Sequence, residues 1–581
     1  MDKTNLEREE SRIGFLTLLA AGIGFAAGLI AFALYHLIGL ITNLFFYGRF
    51  DFSFASPQFN HLGALVIVIP VVGGLIAGLM IKYGSARIIG HGIPETMESV
   101  LLHRSKVEPK VGVLKAVSAA ITIGSGQPFG AEGPIIQTGG AFGSFVGQKI
   151  SMTGAERKIL LAAGAAAGMA ATFGTPIAAI LIAVELLLFE FRAKSLVPVA
   201  VAAAIGGWMH IYLISPQPLF QTPAYDFGGL PSLPFYVGLG LVCGVLGSAL
   251  SRGLYKTEEV FSKLKLGQPW LPAVGGLAVG VIGFLVPQIL GVGYDVITGV
   301  LNGQFAIGVV AMILVAKAVA WLLAMGSQTS GGTLAPLFMI GGSVGYLFGS
   351  WVAPLFPGLG PEVFAIAGMA AVFGTASRAP FTSIVFALEV TRDYQGVLPI
   401  IVTVVIAELV GEALMEDSIM TERLAKRGLR VRHIYEYNPL RQVRIRSIMS
   451  APPDTVGSAE PVVEIYKLMT NPQHQFSARK RLIVLSDGKA MGVISRDQVY
   501  SVTSNANKEL TAGEICSKEF ESIWEEEFAY DALRKMSLRD VSFLVVTDGK
   551  GGAVGYVSRG DLVRALKRKI EDETLVEKPG R

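Results

Sequence analysis

One pattern of prolines and glycines occurs twice in this 581-residue chain, at positions 134–147 and again at positions 336–349. In each copy one proline is followed at the same intervals by four glycines, and most of the other positions are apolar. Helices interrupted at corresponding places in two halves of a chain are typical of membrane proteins that bind a ligand between internal repeats. The pattern therefore predicts a duplicated membrane fold with one shared site.

The duplication extends beyond this pattern. Residues 168–176 reappear as residues 368–380 with a short insertion, and the apolar runs that follow end in Glu185 and Glu389. Small residues at such spacing also serve helix packing, which is the alternative explanation for any single glycine. Two ordered blocks about 200 residues apart are better explained by an internal repeat, and broken helices favour an inverted one.

Composition places the chain in the membrane. The mean hydropathy is +0.53, only 16% of residues are charged, and there are 69 glycines, which is typical of a polytopic α-helical membrane protein. The net charge of +4 is too small to indicate nucleic-acid binding. Cys243 falls in an apolar run and Cys516 in the polar C-terminal part, so neither a disulfide framework nor a cysteine metal site is expected.

Charged residues at both ends of the apolar region predict the topology. Residues 1–13 lack the features of a cleaved signal peptide. Basic residues follow the last apolar segment at Lys426, Arg427, Arg430 and Arg432, which by the positive-inside rule places the C-terminal part in the cytoplasm. We expect a multi-pass protein of the cell membrane with both termini cytoplasmic.

Apolar segments long enough, or nearly long enough, to cross a bilayer lie near Ile13 to Ile38, Leu62 to Ile81, Phe235 to Leu250, Leu271 to Leu290 and Ile307 to Met325. After Leu440 short β-branched strands alternate with helical stretches, which predicts a tandem of two soluble α/β motifs. The predicted organisation is a cytoplasmic N-terminus at 1–13, a membrane domain at 14–425 with repeat halves of about 62–215 and 271–425, a linker at 426–442, soluble motifs at 443–505 and 506–568, and a polar tail at 569–581.

The residues before the first Gly/Pro copy suggest an anion site. Gly130 and Gly133 flank Glu132, and Pro134 suits the first turn of a new helix. A helix amino terminus presents free amides and partial positive charge, which bind anions. The carboxylate of Glu132 would occupy that position until a diffusible anion displaces it or a proton neutralises it. The alternative is a helix-capping acid without a gating role.

Two further segments have the same arrangement of a glycine break followed by a proline. Residues 331–336 combine a glycine break with Pro336 but carry no acid, so their amides are left for a ligand. Residues 90–95 combine two glycines with Pro94 and place His91 between the glycines. His91 is either a ligand of the same site or a buried imidazole satisfied by its neighbours.

These three segments, in this order and followed by a paired soluble module, resemble the CLC family of chloride channels and proton-coupled chloride antiporters. The resemblance runs from about Gly14 to Leu424, and the C-terminal tandem resembles a pair of CBS domains. It implies a homodimer, a separate pathway for chloride or a similar small anion in each subunit, and a gating glutamate at Glu132. The candidate anion ligands are His91, Gly92, Ala131, Gly133, Thr333, Leu334 and Met420.

This chain departs from the family pattern at the centre of the site. His91 stands where the family commonly has a serine, and Met420 where it has a tyrosine, so both hydroxyl donors are replaced. Coordination would then depend on the amides of Thr333 and Leu334, helped by a protonated His91. We expect acid pH to increase anion flux by neutralising Glu132 and charging His91.

The proton pathway is also altered. Proton-coupled members carry a relay glutamate just after the position of Glu185, where this chain has Leu186. Leucine cannot carry a proton, which favours passive, pH-dependent conduction. The alternatives are chloride/proton antiport, with Glu132 and Glu185 as proton-carrying groups, and transport of another anion such as fluoride or nitrate. Glu185 is otherwise a packed structural acid. A membrane-anchored nucleotide sensor is a more distant alternative.

In CBS pairs adenine nucleotides bind at a Gly-x-x-Ser/Thr-x-x-Asp segment, an apolar residue standing at each of the first two intervening positions. The second motif has Ser558 and Asp561 at these positions, whereas in the first, with Ser495, the aspartate comes one residue early at Asp497. The pair is therefore either a nucleotide-binding regulator or a dimer-packing platform. We find no nucleophile-and-base pair and no metal-ligand cluster in the sequence, so we expect neither enzymatic activity nor a required cofactor.

Overall fold

The computed structural model describes residues 3–356, 358–426, 439–450, 454–504, 510–548 and 552–574. They form two units, one within 3–426 and one within 439–574. Three predicted features lie outside the described residues: most of the linker, with Arg427, Arg430 and Arg432, the boundary between the soluble motifs at 505–506, and the tail beyond 574.

The first unit is built of helices, and the predicted apolar segments form five of them. Seven helices in the described ranges are long and apolar enough to cross a membrane. The helices of this unit are α1 (Lys3–Thr42), α2 (Val68–Tyr83), α3 (Ile93–Leu102), α4 (Pro109–Gly124), α5 (Glu132–Lys149), α6 (Gly154–Phe173), α7 (Pro176–Ile182), α8 (Ala193–Leu213), α9 (Leu233–Lys263), α10 (Trp270–Leu285), α11 (Tyr294–Leu301), α12 (Ile307–Gly326), α13 (Leu334–Val352), α14 (Pro361–Ser377), α15 (Pro380–Thr391), α16 (Val397–Leu414) and α17 (Glu422–Lys426). A π-helical segment, Ala183–Leu188, directly continues α7.

The helices repeat in order, α1 to α8 matching α9 to α16. The predicted repeat halves, 62–215 and 271–425, leave out the first helix of each set. In the structure α1 packs on α6 and α8, and α9 packs on the equivalent α14 and α16. Each half is therefore one helix longer at its amino end than predicted, because α1 and α9 lack the Gly/Pro pattern that reveals the repeat.

The glycines of the doubled pattern serve helix packing. A Cβ on Gly143 of α5 would lie 2.0 Å from the carbonyl oxygen of Leu160 on α6, and a Cβ on Gly345 of α13 would lie 2.0 Å from that of Phe364 on α14. Only glycine permits such close backbone approach. The packing explanation therefore holds for these glycines, while the loops that precede them form the site.

The second unit contains two small mixed sheets. Their strands are β1 (Thr455–Gly457), β2 (Arg481–Ser486), β3 (Lys489–Ser495), β4 (Ser522–Trp524), β5 (Phe543–Thr547) and β6 (Ala553–Ser558). In each sheet the first strand is parallel to the second and the second is antiparallel to the third, with registers such as Thr455 to Ile483 and Ser522 to Val545. The two predicted α/β motifs are confirmed, and β1 and β4 are strands that lie before α18 (Val462–Thr470) and α21 (Ala529–Leu538).

The helices of the second unit are α18 (Val462–Thr470), α19 (Arg496–Ser504), α20 (Ala512–Ile515), α21 (Ala529–Leu538) and α22 (Arg559–Thr574). Helices α18 and α21 are among the helical stretches that alternate with strands in this unit. The two sheets share a small apolar cluster that includes Ile483, Val493 and Val545. The two motifs therefore pack as a pair.

Candidate functional site

Three glycine loops from the two repeat halves meet in the first unit. The Gly331 amide donates to the Gly90 carbonyl at 3.2 Å, which joins the loop before α3 to the loop before α13. Gly130 and Gly332 exchange two backbone hydrogen bonds, of 3.1 and 2.9 Å, which join the loops before α5 and α13. The three segments singled out in the sequence are thus brought together as predicted.

The helices that follow these loops present free amides at their amino ends. Pro134 and Pro336 are the third residues of α5 and α13 and have no N–H. The fourth amides already bond within their helices, to the carbonyls of Ala131 and Thr333. The amides of the first two positions therefore face out of each helix, and they belong to Glu132, Gly133, Leu334 and Ala335.

The Glu132 side chain lies at the centre of this cluster and is 1% exposed. The Tyr294 hydroxyl donates to its Oε1 at 3.4 Å, and Oε2 has no hydrogen-bond partner among the described residues. A Cβ on Gly332 would lie 2.9 Å from Oε2, and the carboxylate also interacts with the Ala335 backbone amide. The acid therefore reaches from α5 to the amino end of α13, where a diffusible anion would bind.

His91 is 2% exposed, and only one of its ring nitrogens is satisfied. Its Nε2 lies 3.4 Å from the carbonyl oxygen of Ile419, whereas Nδ1 has no partner within the described part of the chain. A carbonyl only accepts hydrogen bonds, so Nε2 carries a proton. Nδ1 can then donate to an anion only when the imidazole is doubly protonated and positively charged.

Gly92 and Gly133 have structural roles at the site. The Gly92 amide donates to Oε2 of Glu95 at 2.8 Å, so in this structure the amide is engaged in a helix cap. A Cβ on Gly133 would lie 1.5 Å from the His91 carbonyl oxygen. Gly133 is therefore required for the contact between two of the loops, and Ala131, 6% exposed, immediately precedes α5.

The segment that carries Met420 lies beside His91. Met420 is fully buried, and its amide donates to the Ser418 hydroxyl at 3.2 Å. Ile419, the residue before it, supplies the carbonyl that contacts His91. The structure thus brings together the two positions where hydroxyl donors are replaced, and the Met420 thioether offers almost no hydrogen bond.

Two buried lysines, missed in the sequence, occupy equivalent places in the two halves. Lys115 donates to the carbonyls of Ile88 and Gly90 at 3.0 and 2.6 Å, and Lys317 donates to those of Ile289 and Gly291 at 3.0 and 2.9 Å. Both lysines are fully buried. Their signal in the sequence is a single lysine in an apolar helix, repeated 202 positions later. They fasten the loops before α3 and α11 to helices α4 and α12.

Tyr294 and Ala335 were also missed. Tyr294 begins α11 directly after Gly291 and Gly293, which repeat the Gly-x-Gly spacing found around His91. That repeated spacing could have identified the tyrosine. Gly133 and Ala335 are the second residues of α5 and α13. Because these helices correspond in the internal repeat, the position of Gly133 in the first half predicts that of Ala335 in the second.

Glu185 lies in the π-helical segment and caps a helix of the other half. Its carboxylate accepts the backbone amides of Phe381 and Thr382 at 3.2 and 2.9 Å, and also the Thr382 hydroxyl. Glu389 on α15 reciprocally accepts the amides of Ile177 and Ala178 at 3.0 and 2.8 Å. This geometry supports the structural alternative for Glu185, and Leu186 beside it is fully buried.

In the second CBS-like motif, Ser558 and Asp561 bind each other. The Ser558 amide and hydroxyl donate to Oδ2 of Asp561 at 2.8 and 2.6 Å, which caps α22. In the first motif Gln498 takes this part by accepting the Ser495 amide at 2.7 Å, while Asp497 is exposed. Asp497 is therefore not the counterpart of Asp561, since the helix turn places the residue three positions after the serine at the cap.

Seven helices long and apolar enough to cross a membrane, together with a buried acid between helix amino ends, indicate a multi-pass membrane protein with a candidate internal anion site. Residues 73–412 match the family model described as voltage gated chloride channel, and residues 445–504 and 512–568 each match the model of the CBS domain. The chain therefore belongs to this CLC family of anion transport proteins, whose fold carries an inverted internal repeat, and ends in a CBS pair.

Relatives and solved structures agree with this assignment. A ClcB-like chloride channel protein of Ralstonia nicotianae is 29% identical over 62% of this chain and 85% of its own length. The H(+)/Cl(-) exchange transporter ClcA of Salmonella paratyphi A is 29% identical over 72% and 91%. A slow cyanobacterial Cl−/H+ antiporter has a TM-score of 0.64 at 24% identity, covering 71% of this chain and 97% of that one. A eukaryotic CLC transporter has a TM-score of 0.61 at 21% identity and covers 96% and 99%.

Proposed function

We propose that this chain exchanges chloride for protons across the cell membrane, with Glu132 as both gate and proton carrier. The observation that carries the proposal is the Glu132 carboxylate, which is buried between the amino ends of α5 and α13 and has one oxygen without a partner among the described residues. Such a carboxylate competes with an anion when ionised and leaves the site when protonated. One group thereby links anion and proton movement.

We propose proton-coupled exchange in place of the passive chloride conduction that the presence of Leu186 indicated. Relatives named H(+)/Cl(-) exchange transporters, 29% identical over 72% of the chain, support the antiport alternative better than the channel interpretation. Glu132 supplies a proton-binding group in the anion path itself, so the missing relay at Leu186 does not exclude coupling. We propose a homodimer with one pathway in each subunit and with both termini in the cytoplasm.

Purified protein in liposomes tests the proposal. With a chloride gradient and no initial pH gradient, chloride movement should drive protons in the opposite direction. Glu132→Gln removes the titratable group, so chloride flux should persist while proton movement and pH dependence are lost. Wild-type chloride flux that is unaffected by pH between 8 and 4.5, without proton movement, would contradict the proposal.

A different preferred anion is the second candidate. His91 and Met420 replace two hydroxyl donors at the centre of the site, so the coordination of chloride by hydroxyl groups is not available there. A protonated imidazole is a stronger donor and suits a small, strongly basic anion such as fluoride. Competition of fluoride and nitrate with chloride in the same liposomes distinguishes these substrates.

The CBS pair is proposed as a regulatory unit whose ligand is an adenine nucleotide. Ser558 and Asp561 are the residues of the second motif that would contact phosphate and ribose, and both are engaged with each other. A nucleotide must therefore break this pair to bind as expected. Measuring the melting temperature of the intact protein at increasing ATP concentrations tests this expectation.

A further inference from the structure

An acid that the anion site does not use lies inside a membrane-spanning helix. Helix α16 is within one of the seven candidate spans, Tyr394–Leu414, and carries Glu408 and Glu412 near its end. Ionisable residues within such spans are costly and mark ion or proton pathways.

The contacts of Glu408 leave one carboxylate oxygen uncommitted. Its Oε1 lies 3.5 Å from Nη1 of Arg378, and its side chain is 19% exposed. Its Oε2 is buried and has no hydrogen-bond partner within the ranges that the structure describes. Arg378 is itself held by the end of α16, since Nη2 donates to the carbonyl of Met415 at 2.6 Å.

The charges around Glu408 are unbalanced. Arg378 faces it from the turn before α15, Glu185 from the π-helical segment, and Glu412 from the next turn of α16. These groups are three carboxylates and one guanidinium, so the cluster carries two excess negative charges when every acid is ionised. A proton is the cation small enough to enter this cluster without opening the packing.

The division of roles within the cluster follows from the hydrogen bonds. The Glu185 carboxylate is occupied by the first turn of α15, and Glu412 is exposed. Glu408 combines a half-buried side chain with a buried, free carboxylate oxygen, and it lies one helical turn from the exposed Glu412. We propose that Glu408 is the group through which protons enter and leave on the side of the membrane where α16 ends, a role that Leu186 cannot fill.

The proton step itself is simple. A hydronium ion at the membrane surface transfers a proton to the free oxygen of Glu408: one O–H bond of hydronium breaks, the carboxyl O–H bond forms and a water molecule is left. The reverse transfer to water releases the proton. This inference rests on the proposed proton exchange at Glu132. It adds a second proton-binding group, placed outside the three glycine loops.

The test compares E408Q with wild-type protein in liposomes, with E259Q as the control, because Glu259 is an exposed glutamate near the end of α9 and lies outside this cluster. We expect E408Q to move chloride at close to the wild-type rate while the number of protons moved per chloride falls at least tenfold. E259Q should retain wild-type coupling. Glutamine preserves the shape of the side chain, and the chloride flux itself verifies folding.

The outcomes distinguish a failure of the proposed role of Glu408 from a failure of the proposed exchange. Wild-type coupling in E408Q overturns the role of Glu408 and leaves the proposed exchange intact. Chloride movement without protons in the wild-type protein overturns the exchange and this inference together. If E408Q carries no chloride, E408L serves as the second variant, and wild-type coupling in E408L refutes the inference.

Discussion

Replacing Glu185 by alanine removes the acceptor that holds the first turn of α15. The Phe381 amide contact is long and Phe381 is 57% exposed, so we count only the amide and hydroxyl of the fully buried Thr382. Hydrogen bonds to a charged group contribute about 1.5 to 3 kcal/mol each. We therefore expect E185A to destabilise the membrane unit by about 3 kcal/mol, the lower end of this range for two bonds.

Two variants calibrate this value. E185Q keeps an acceptor oxygen but loses the charge, so its cost should be about 1 kcal/mol. E389A removes the two reciprocal bonds to Ile177 and Ala178 at a partly exposed site and should cost about 2 kcal/mol. Thermal melting in detergent, monitored by size-exclusion chromatography, should therefore give stabilities that decrease in the order wild type, E185Q, E389A and E185A.

Transport then separates a capping role from a proton-carrying role. If Glu185 only caps α15, E185Q should exchange chloride and protons with the wild-type stoichiometry in liposomes. A stable E185Q that moves chloride without protons would show that Glu185 carries protons. An E185A protein that melts like the wild type would refute the capping energetics.

Three further outcomes follow from the site and from the second unit. G133A should abolish folding or transport because its Cβ would lie 1.5 Å from the His91 carbonyl oxygen, whereas G140A, with its nearest contact at 3.6 Å, should be tolerated in a melting assay. H91S restores a hydroxyl donor that needs no proton, so chloride affinity measured by calorimetry at pH 8 should exceed that of the wild-type protein. D561A should cost about 1 kcal/mol through the lost helix cap, measured by chemical denaturation, while the exposed D497A should leave stability unchanged.

The sequence was sufficient to predict the helices that break at the site. Glycine and proline restrict the backbone directly, so 90–95, 130–134 and 331–336 could be recognised as loops that lead into helix starts. Glu132 could be placed among them because it is the one acid that precedes the doubled pattern. The convergence of these loops depends on the repeat, which the sequence displays.

Other features depend on contacts between residues far apart in the chain. The cap that occupies the Gly92 amide requires the position of Glu95 in the folded loop, and the reach of Glu132 to Ala335 joins two halves about 200 residues apart. The roles of Lys115 and Lys317 depend on carbonyl groups, which every residue possesses and which carry no sequence signal. Burial and pairing at such places become visible only in the folded chain.

The paired backbone hydrogen bonds between Gly130 and Gly332 limit how the proposed gate at Glu132 would work. They fasten the loop that carries Glu132 to its counterpart in the other half, so the two halves cannot rock apart without breaking them. Opening of the proposed gate would then be a rotation of the Glu132 side chain about its own bonds within a stationary scaffold. Turnover in such a transporter would be governed by rotamer exchange and proton arrival. A cross-link between the loops that carry Gly130 and Gly332 should therefore leave transport intact.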